Sequence, residues 1–329
     1  MPLFWETELR CGAKSAGPQA ILCDMSSPYQ RALLIANPIA GAGRGEARAR
    51  ALEKAVGEAG IEAELRLTTG AGDARRFAAE RSSEVDVVVS IGGDGTLREI
   101  LDGLQASGDT STPVATLPMG TANVLAIDFR LPKTIHGVVE LLRTGTTRDL
   151  DLGRIGTGEG ESTTSFLAIG AGLDGEVVQR LDAGRTGAIS KFTYVPHVIR
   201  ALVGYKPPVL RVALDGKPLH GTFGQVLIAN VINYGGFLKL DPGTQSDDGL
   251  WEVYLWRRGN RRELSRSAIR GATSHLPGGP CTMLRAKRVE ITSDAPTPYH
   301  VDGDAGGQTP LVFEVTGKRQ AIVVPRAKP

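Results

Sequence analysis

Four short apolar runs, each followed by a helical pattern, fill the stretch from Arg31 to Phe129. The runs are RALLIANP, IEAELRLTT, VDVVVSIGG and PVATLPMG. The helical patterns are GEARARALEKAVGEAG, which Gly60 can cap, DARRFAAERSS, TLREILDGLQASG and the start of one at ANVLAIDF. This alternation constrains the fold more than any other feature. Strands joined through helices run parallel, and a parallel sheet is covered on both faces. After about Thr147 the rhythm changes. LRVALDG, GQVLIANVINY, LWEVYLWRR, RVEITSD, PYHVDGD and LVFEVTG are strand-like, with Gly, Asp and Pro between them. Helical patterns such as GAISKFTYVPHVIRALVGY and NRRELSRSAIRGATSH interrupt them rarely. The expected organisation is an N-terminal extension (1–30), an α/β domain with a parallel sheet (31–147) and a mainly antiparallel β domain (148–329). The last segment of the chain is allowed to return to the first domain.

Composition narrows the class. Of 329 residues, 41% are hydrophobic and 22% charged, which suits a packed core. The formal net charge of +2 is too balanced to point to nucleic acid. Cys11, Cys23 and Cys281 are far apart and form no CxxC, so neither a zinc site nor a disulfide framework is expected. A reducing, cytoplasmic compartment follows as the expectation. The longest apolar run, VLIANVI (226–232), falls well short of the roughly 18 residues that a membrane-spanning helix requires. The N-terminus lacks the basic start and apolar stretch of a secretory signal. Residues 1–30 are expected to be poorly ordered, with Met25 an alternative start.

In a parallel α/β sheet, ligands bind beyond the C-terminal ends of the strands. Three strand ends here carry glycine-rich loops: NPIAGAGRG (37–45), GGDGTL (92–97) and PMGTAN (118–123). Glycine lets backbone amides approach an anion, and a helix starting next adds free N–H groups and about half a positive charge. Such loops suit polyphosphate; the plainer reading is tight turns at strand ends. Asp94 decides between them. A carboxylate among phosphate-binding amides repels phosphate unless a cation lies between, and Mg²⁺ commonly bridges one or two carboxylates to nucleotide phosphates. Asp94 therefore marks a Mg–nucleotide site, although a side-chain cap on the next helix would also place an Asp there.

Other nucleotide signatures are weaker. None of the loops carries the Lys of a Walker A sequence. GAGLDG (170–175) matches GxGxxG, but no acid and no parallel strand pattern follow it, so the match is read as coincidental. GxSxG and HExxH are absent, and the five histidines are isolated.

NPIAG, GGDGTL and LPMGTANVLA, in this order and spacing, resemble the diacylglycerol kinase catalytic-domain family. The branch they resemble is that of the soluble bacterial lipid kinases, related to sphingosine and ceramide kinases. The resemblance continues through DLDLGRI (149–155), FLAIGAGLDGEVV (166–178), SDDGLWEV (246–253) and VDGDAGG (301–307). GGDGT alone is shared with NAD kinases and phosphofructokinases. The resemblance implies a phosphofructokinase- or NAD kinase-like α/β nucleotide domain followed by a β-sandwich. It implies ATP-dependent phosphorylation of a lipid hydroxyl with Mg²⁺, at a membrane surface, diacylglycerol being the first candidate and ceramide or a sphingoid base the alternatives. A homodimer is a further expectation.

Carried over by position, the resemblance assigns Asn37, Pro38, Ile39, Ala40 and Gly41 to the first nucleotide loop and Thr68 to a position near the nucleotide. Gly92, Gly93, Asp94, Gly95, Thr96, Leu97, Arg98 and Glu99 fall on the central loop, and Gly120, Thr121 and Asn123 on the third. Asp151 matches an acid near the catalytic centre. Asp248 matches a ligand of a structural Mg²⁺, with Gln245 and Leu250 where the family supplies backbone oxygens. Asp302 and Asp304 fall on an Asp-Gly-Glu element that carries the proposed catalytic base, Asp304 at the Glu position. Asp94, Asp151, Asp302 and Asp304 form the candidate catalytic set.

The sequence departs from that pattern. Arg98 stands where the family often has Asn, Val124 where it has Asp, and Asp304 is one methylene shorter than Glu. Arg262, Arg266 and Arg270 recur every fourth residue on one helical pattern, preceded by Arg257, Arg258 and Arg261. They suit an anionic membrane surface, where each basic residue contributes about 1 kcal/mol, or a solvated helix face. Two other classes stay open: a NAD kinase-like enzyme, and a regulator that binds nucleotide or lipid without catalysis. The retained acids weigh against the second.

Overall fold

The computed structural model describes residues 27–156, 162–183, 202, 204–235 and 238–326. Cys11, Cys23, Met25 and most of the helical pattern at 187–205 lie outside them.

The four apolar runs form parallel strands β1 (Arg31–Ala36), β2 (Glu62–Leu67), β3 (Val87–Gly92) and β4 (Val114–Pro118). They lie side by side in the order β2-β1-β3-β4. Every residue of β3 is buried, as its near-continuous apolar sequence requires of a central strand covered on both faces. β2 lies at the edge, where its alternating Glu62, Glu64 and Arg66 blunt further pairing. The strands are followed by helices α2 (Gly45–Glu58), α3 (Asp73–Arg81), α4 (Asp94–Ser107) and the short α5 (Val124–Asp128), with a helical turn α1 (Ala40–Gly43) before α2.

This sheet does not stop at β4. The last strand, β18 (Leu311–Val324), aligns parallel with β4 through Ile322 and Val114. It also pairs antiparallel along β5 (Thr146–Gly156). β15 (Arg288–Ser293) and β8 (Leu210–Leu214) continue the sheet antiparallel on the far side of β18. The sequence pattern suggested a strand ending at Gly317. Instead Gly317 takes a left-handed conformation, the register slips between Val315 and Arg319, and the strand runs on to Val324. This is a bulge, which bends a strand without ending it.

The second sheet is antiparallel. Its order is β14 (Cys281–Ala286), β13 (Trp251–Trp256), β10 (Gln225–Ala229), β7 (Ala168–Ala171), β16 (Pro298–Val301) and β17 (Asp304–Gln308). It packs on the antiparallel end of the first sheet to form a sandwich, with Ile169, Ile228, Trp251, Val289 and Phe313 at its centre. The Trp251 and Phe313 ring centroids are 4.7 Å apart. Each fully buried large apolar side chain contributes about 1.5–3 kcal/mol. β14 was not visible as a strand because CTMLRA is exposed along much of its length and alternates poorly. β7 pairs antiparallel with both β10 and β16, so GAGLDG opens no βαβ unit, although helix α7 (Leu173–Ala183) does follow it.

The two sheets share a core. Leu97 of α4 and Val124 and Leu125 of α5 pack in one apolar cluster with Phe166, Leu227 and Tyr254. This cluster brings the β4–α5 loop and the start of α4 against the second sheet.

Candidate active site

The three glycine loops meet one another at the C-terminal ends of β1, β3 and β4. The first loop turns through three successive left-handed residues, Gly41, Ala42 and Gly43. A Cβ on Gly41 would lie 2.7 Å from Met119 Cε, so the first loop touches the third. A Cβ on Gly120 would lie 2.6 Å from Gly93 Cα, so the third touches the second. These glycines allow the loops to nest as well as exposing their amides. Asn37 accepts a hydrogen bond from the Ile39 amide (3.1 Å), and the Pro38 carbonyl accepts from Glu46 (3.3 Å). Ile39 itself stands 76% exposed, and Ala40 is partly buried. The Asn123 amide closes the third loop by bonding both the N–H and the carbonyl of Gly120 (2.8 and 2.7 Å), next to the exposed Thr121. Thr68 is buried at the end of β2, its amide on the Ala36 carbonyl.

Asp94 sits at the first position of α4, but its carboxylate does not cap that helix. It accepts instead from the Val124 amide of α5 at 3.1 Å. The side chain thus faces the gap between two helix N-termini. Burial raises its pKa to about 6; the α5 amides oppose this and the charge of Asp302 adds to it. A recess of about 10 Å³, the size of one water, lies among Gly93, Asp94, Asn123 and Leu125.

The central loop divides by role. Thr96 packs against Gly92, whose Cβ would lie 2.5 Å from the Thr96 hydroxyl. Leu97 is core. Glu99 turns away and accepts from the Ala74 amide (3.2 Å) at the start of α3, so it serves that helix. Arg98 reaches across to the second sheet, donating to Asp304 Oδ2 at 2.8 Å and to the Val301 carbonyl at 2.9 Å. A Cβ on Gly95 would lie 3.5 Å from the same Asp304 oxygen. The VDGD turn therefore docks on the first turn of α4, beside Asp94. Two sequence departures, Arg98 and Asp304, prove to be partners.

Asp302 and Asp304 separate cleanly. Asp302 accepts from the Ser165 hydroxyl (2.7 Å) and from the amides of Phe166, Leu167 and Ala168 (3.1, 3.0 and 3.0 Å). Burial still raises its pKa, against Arg98 and these donors. Its carboxylate is committed to anchoring the turn. Asp304 is 38% exposed in its side chain and stands at the mouth of the site.

Asp151 belongs to a different network. It is 1% exposed, accepts from Arg319 Nε at 3.0 Å and from the Gly249 amide, and its own N–H donates to the Ser246 carbonyl (2.7 Å). The contacts join it to the 246–249 turn, not to Asp94. In that turn Asp248 accepts from the Leu250 amide (3.1 Å) and pairs with the Arg285 guanidinium, which also holds the buried Glu252 at 3.2 Å. Burial raises the Glu252 pKa to about 7. Gln245 lies exposed on the same loop.

These contacts test where a divalent cation fits. Among the described residues no group of three or more His, Cys, Asp or Glu side chains is placed to hold one. A Mg²⁺ bound largely by nucleotide phosphates requires only one or two protein carboxylates. Asp94, partly exposed and without a cationic partner in its hydrogen bonds, fits that need. Asp248 does not, because Arg285 already balances it and its second oxygen is on an amide. The sequence expectation of a structural Mg²⁺ on Asp248, Gln245 and Leu250 meets a guanidinium there instead. Sequence reading also missed the contacts made by the Ser165–Ala168 segment, Arg319 and Arg285, since each partner lies far along the chain.

Residues 31–155 match the family described as the diacylglycerol kinase catalytic domain, and residues 167–324 the YegS C-terminal NAD kinase beta sandwich-like domain. A diacylglycerol kinase of Bacillus subtilis is 26% identical over 305 residues, covering 91% of this chain and 98% of its own length. One from Staphylococcus epidermidis is 28% identical over 293 residues, covering 86% and 89%. A solved structure of a diacylglycerol kinase from Bacillus anthracis superposes with a TM-score of 0.69 over 91% of this chain and 98% of that one. At 18% identity that likeness speaks to the fold. Two matched domains in the family's order, carrying these loops and acids, make the chain a member of the diacylglycerol kinase catalytic-domain family and an ATP-dependent lipid kinase.

Proposed function

We propose that the chain transfers the ATP γ-phosphate to the hydroxyl of diacylglycerol, giving phosphatidic acid. The observation that carries this reading is the docking of the VDGD turn onto the start of α4, which sets Asp304 beside the phosphate-binding loops and Asp94. The names of the relatives support the substrate.

Phosphoryl transfer depends on positioning and on neutralising charge. The amides of the three loops and the N-termini of α4 and α5 provide the anion-binding surface. Mg²⁺, when bound through Asp94, would neutralise charge on the phosphates. Asp304 accepts the proton of the lipid hydroxyl as its oxygen bonds to the γ-phosphorus and the bond to ADP breaks. Such base catalysis typically contributes about 10²–10⁴-fold. Arg98 holds the Asp304 carboxylate in place and joins it to the nucleotide half of the site.

The lipid lies in a membrane, and among the described residues no helix is long and apolar enough to cross one. We assign surface binding to the arginine-bearing helix Arg261–Thr273. Its exposed face carries Arg262, Arg266 and Arg270 around Ile269, itself 66% exposed. Three of these arginines and Arg258 line an open groove of about 490 Å³. Binding to anionic vesicles should weaken with salt and on Arg266→Glu. Labelled ATP with a panel of diacylglycerol, ceramide and sphingoid base in mixed micelles, followed by chromatography, tests the substrate. Labelled phosphatidic acid is expected; label in ceramide or sphingoid base alone would replace diacylglycerol, and label in none would refute the reading.

A further inference from the structure

Behind the catalytic turn lies a group of polar side chains that the reaction as described does not use. His300 is buried on β16, opposite Gly170 of β7. A Cβ on Gly170 would lie 2.5 Å from His300 Nε2 and 3.0 Å from Asp174 Cβ, so glycine leaves the room that these groups fill. The Tyr234 hydroxyl lies 2.8 Å from His300 Nε2 and 3.1 Å from Asp174 Oδ2. Gln225 Nε2 donates to the same Asp174 oxygen at 2.9 Å. On the other side of the ring, the Gly303 amide donates to His300 Nδ1 at 3.4 Å.

The donors settle the direction of the chain. An amide N–H can only donate, so His300 Nδ1 carries no hydrogen and Nε2 carries it. Nε2–H then donates to the Tyr234 oxygen, and the Tyr234 hydroxyl donates to Asp174. Each group has one role, and the chain ends on a carboxylate whose hydrogen-bond partners here, Tyr234 and Gln225, are neutral. Burial holds His300 neutral, its pKa lowered to about 4, which preserves one donor and one acceptor on the ring.

We infer that Asp174, Tyr234 and His300 form a positioning chain that fixes the turn bearing Asp302 and Asp304. The turn needs such support. Asp302 (φ 52) and Gly303 (φ 91) are both left-handed, a conformation that an Asp adopts at a cost. The amide held by His300 is that of Gly303, between the anchoring acid and the reacting one. The chain is also tied to the nucleotide half. Asp128 of α5 accepts from the Ile232 amide (2.7 Å) and the Asn233 amide (3.2 Å), next to Tyr234. The helix whose first amide holds Asp94 thus also places Tyr234, and Tyr234 places His300. Both acids of the site are thus referred to one frame.

This inference rests on the reading of Asp304 as the proton acceptor. The test compares Tyr234→Phe, His300→Leu, His300→Asn and Asp304→Asn in the full chain. Each is measured for kcat, ATP KM and lipid KM in mixed micelles, and for Tm. Misplacing a reacting group by about 1 Å costs up to about 10²-fold in rate. His300→Leu should lower kcat by about that factor, and Tyr234→Phe, which removes one oxygen, by about tenfold. In both, ATP KM should stay within about twofold, because the loops are untouched. His300→Asn presents an oxygen close to the Nδ1 position and should recover much of the lost kcat at similar Tm. The inference is overturned if Tyr234→Phe and His300→Leu keep kcat within twofold while Asp304→Asn is inactive. It is equally overturned if His300→Asn is no better than His300→Leu and both lose kcat in step with Tm. A fully active Asp304→Asn would overturn the reading of the turn as catalytic, and this inference with it.

Discussion

The chain holds two clusters of acids, and they are solved in opposite ways. Around the 246–252 turn three acids meet a guanidinium: Asp151 has Arg319, and Asp248 and Glu252 share Arg285. At the loop junction Asp94 has backbone amides in its place, and burial lifts its pKa to about 6. Removing charge from water without a counter-charge is costly. A protein sustains it where a cation or a charged substrate arrives. The first cluster therefore reads as structure and the second as chemistry, although the sequence presents both as Asp-Gly elements. Asp304 stands between these cases. It has a guanidinium, yet that guanidinium comes from the nucleotide half, so the pair spans the site.

The largest effect should come from Asp94→Asn. Turnover should fall by about 10³-fold or more, while the fold persists, because Asn still offers an oxygen to Val124. Near-normal kcat with unchanged Mg²⁺ dependence would place the metal elsewhere. Asp304→Asn comes next, with kcat down about 10²–10⁴-fold and ATP KM little changed.

Gly120→Ala strikes the nesting of the loops. Its added Cβ meets Gly93 Cα at 2.6 Å and the Asn123 oxygen at 2.9 Å, both parts of fixed backbone or a closed turn. The expected cost is about 1–3 kcal/mol, read as a lower Tm. An unchanged Tm with raised ATP KM would show that the glycine serves phosphate approach alone.

Arg319→Ala and Asp248→Ala sharpen the structural side. Arg319→Ala leaves buried Asp151 without its guanidinium and should lower Tm, Asp248→Ala somewhat less. In both, the loss should be the same with EDTA as with Mg²⁺. A Tm of wild-type protein that falls on chelation and is insensitive to chelation in Asp248→Ala would restore a metal at that turn.

The smallest effect is in pH dependence. The Asp94 pKa rises from 3.8 to about 6 on folding, so the folded chain binds the proton more tightly. Stability from this group is present at low pH and is lost as pH rises through the folded value. Without Mg²⁺, Asp94→Asn should therefore melt at or above wild type at pH 7, and the difference should vanish towards pH 4. The reverse slope would mean that Asp94 has a cationic partner.

Much of this was legible in the sequence. The alternation from Arg31 yielded the parallel strands, and the glycine loops were placed at the ends of those strands. What could not be read were contacts across the chain. Arg98 and Asp304 are 206 positions apart, and only the packing of α4 against the second sheet makes them partners. The sequence puts Asp302 in the candidate catalytic set, and its hydrogen bonds to the Ser165–Ala168 residues, which depend on the pairing of β16 with β7, could not be read from it. Gly317 looked like a strand end because a bulge and a turn use glycine for the same reason, its freedom at positive φ. Arg285 carries no motif, so its pairing with Asp248 and Glu252 could not be read either.

The most direct test of the division between the clusters is the rise in Tm produced by Mg²⁺ and ADP together, measured for wild type, Asp94→Asn and Asp248→Ala. A ligand that binds the folded chain at 100 times its Kd adds about 2.7 kcal/mol, enough for a clear shift. The expected result is that Asp94→Asn loses most of the Mg²⁺-dependent part of the shift, while Asp248→Ala, though less stable at the outset, keeps all of it. Retention of the full shift by Asp94→Asn and its loss in Asp248→Ala would contradict the account.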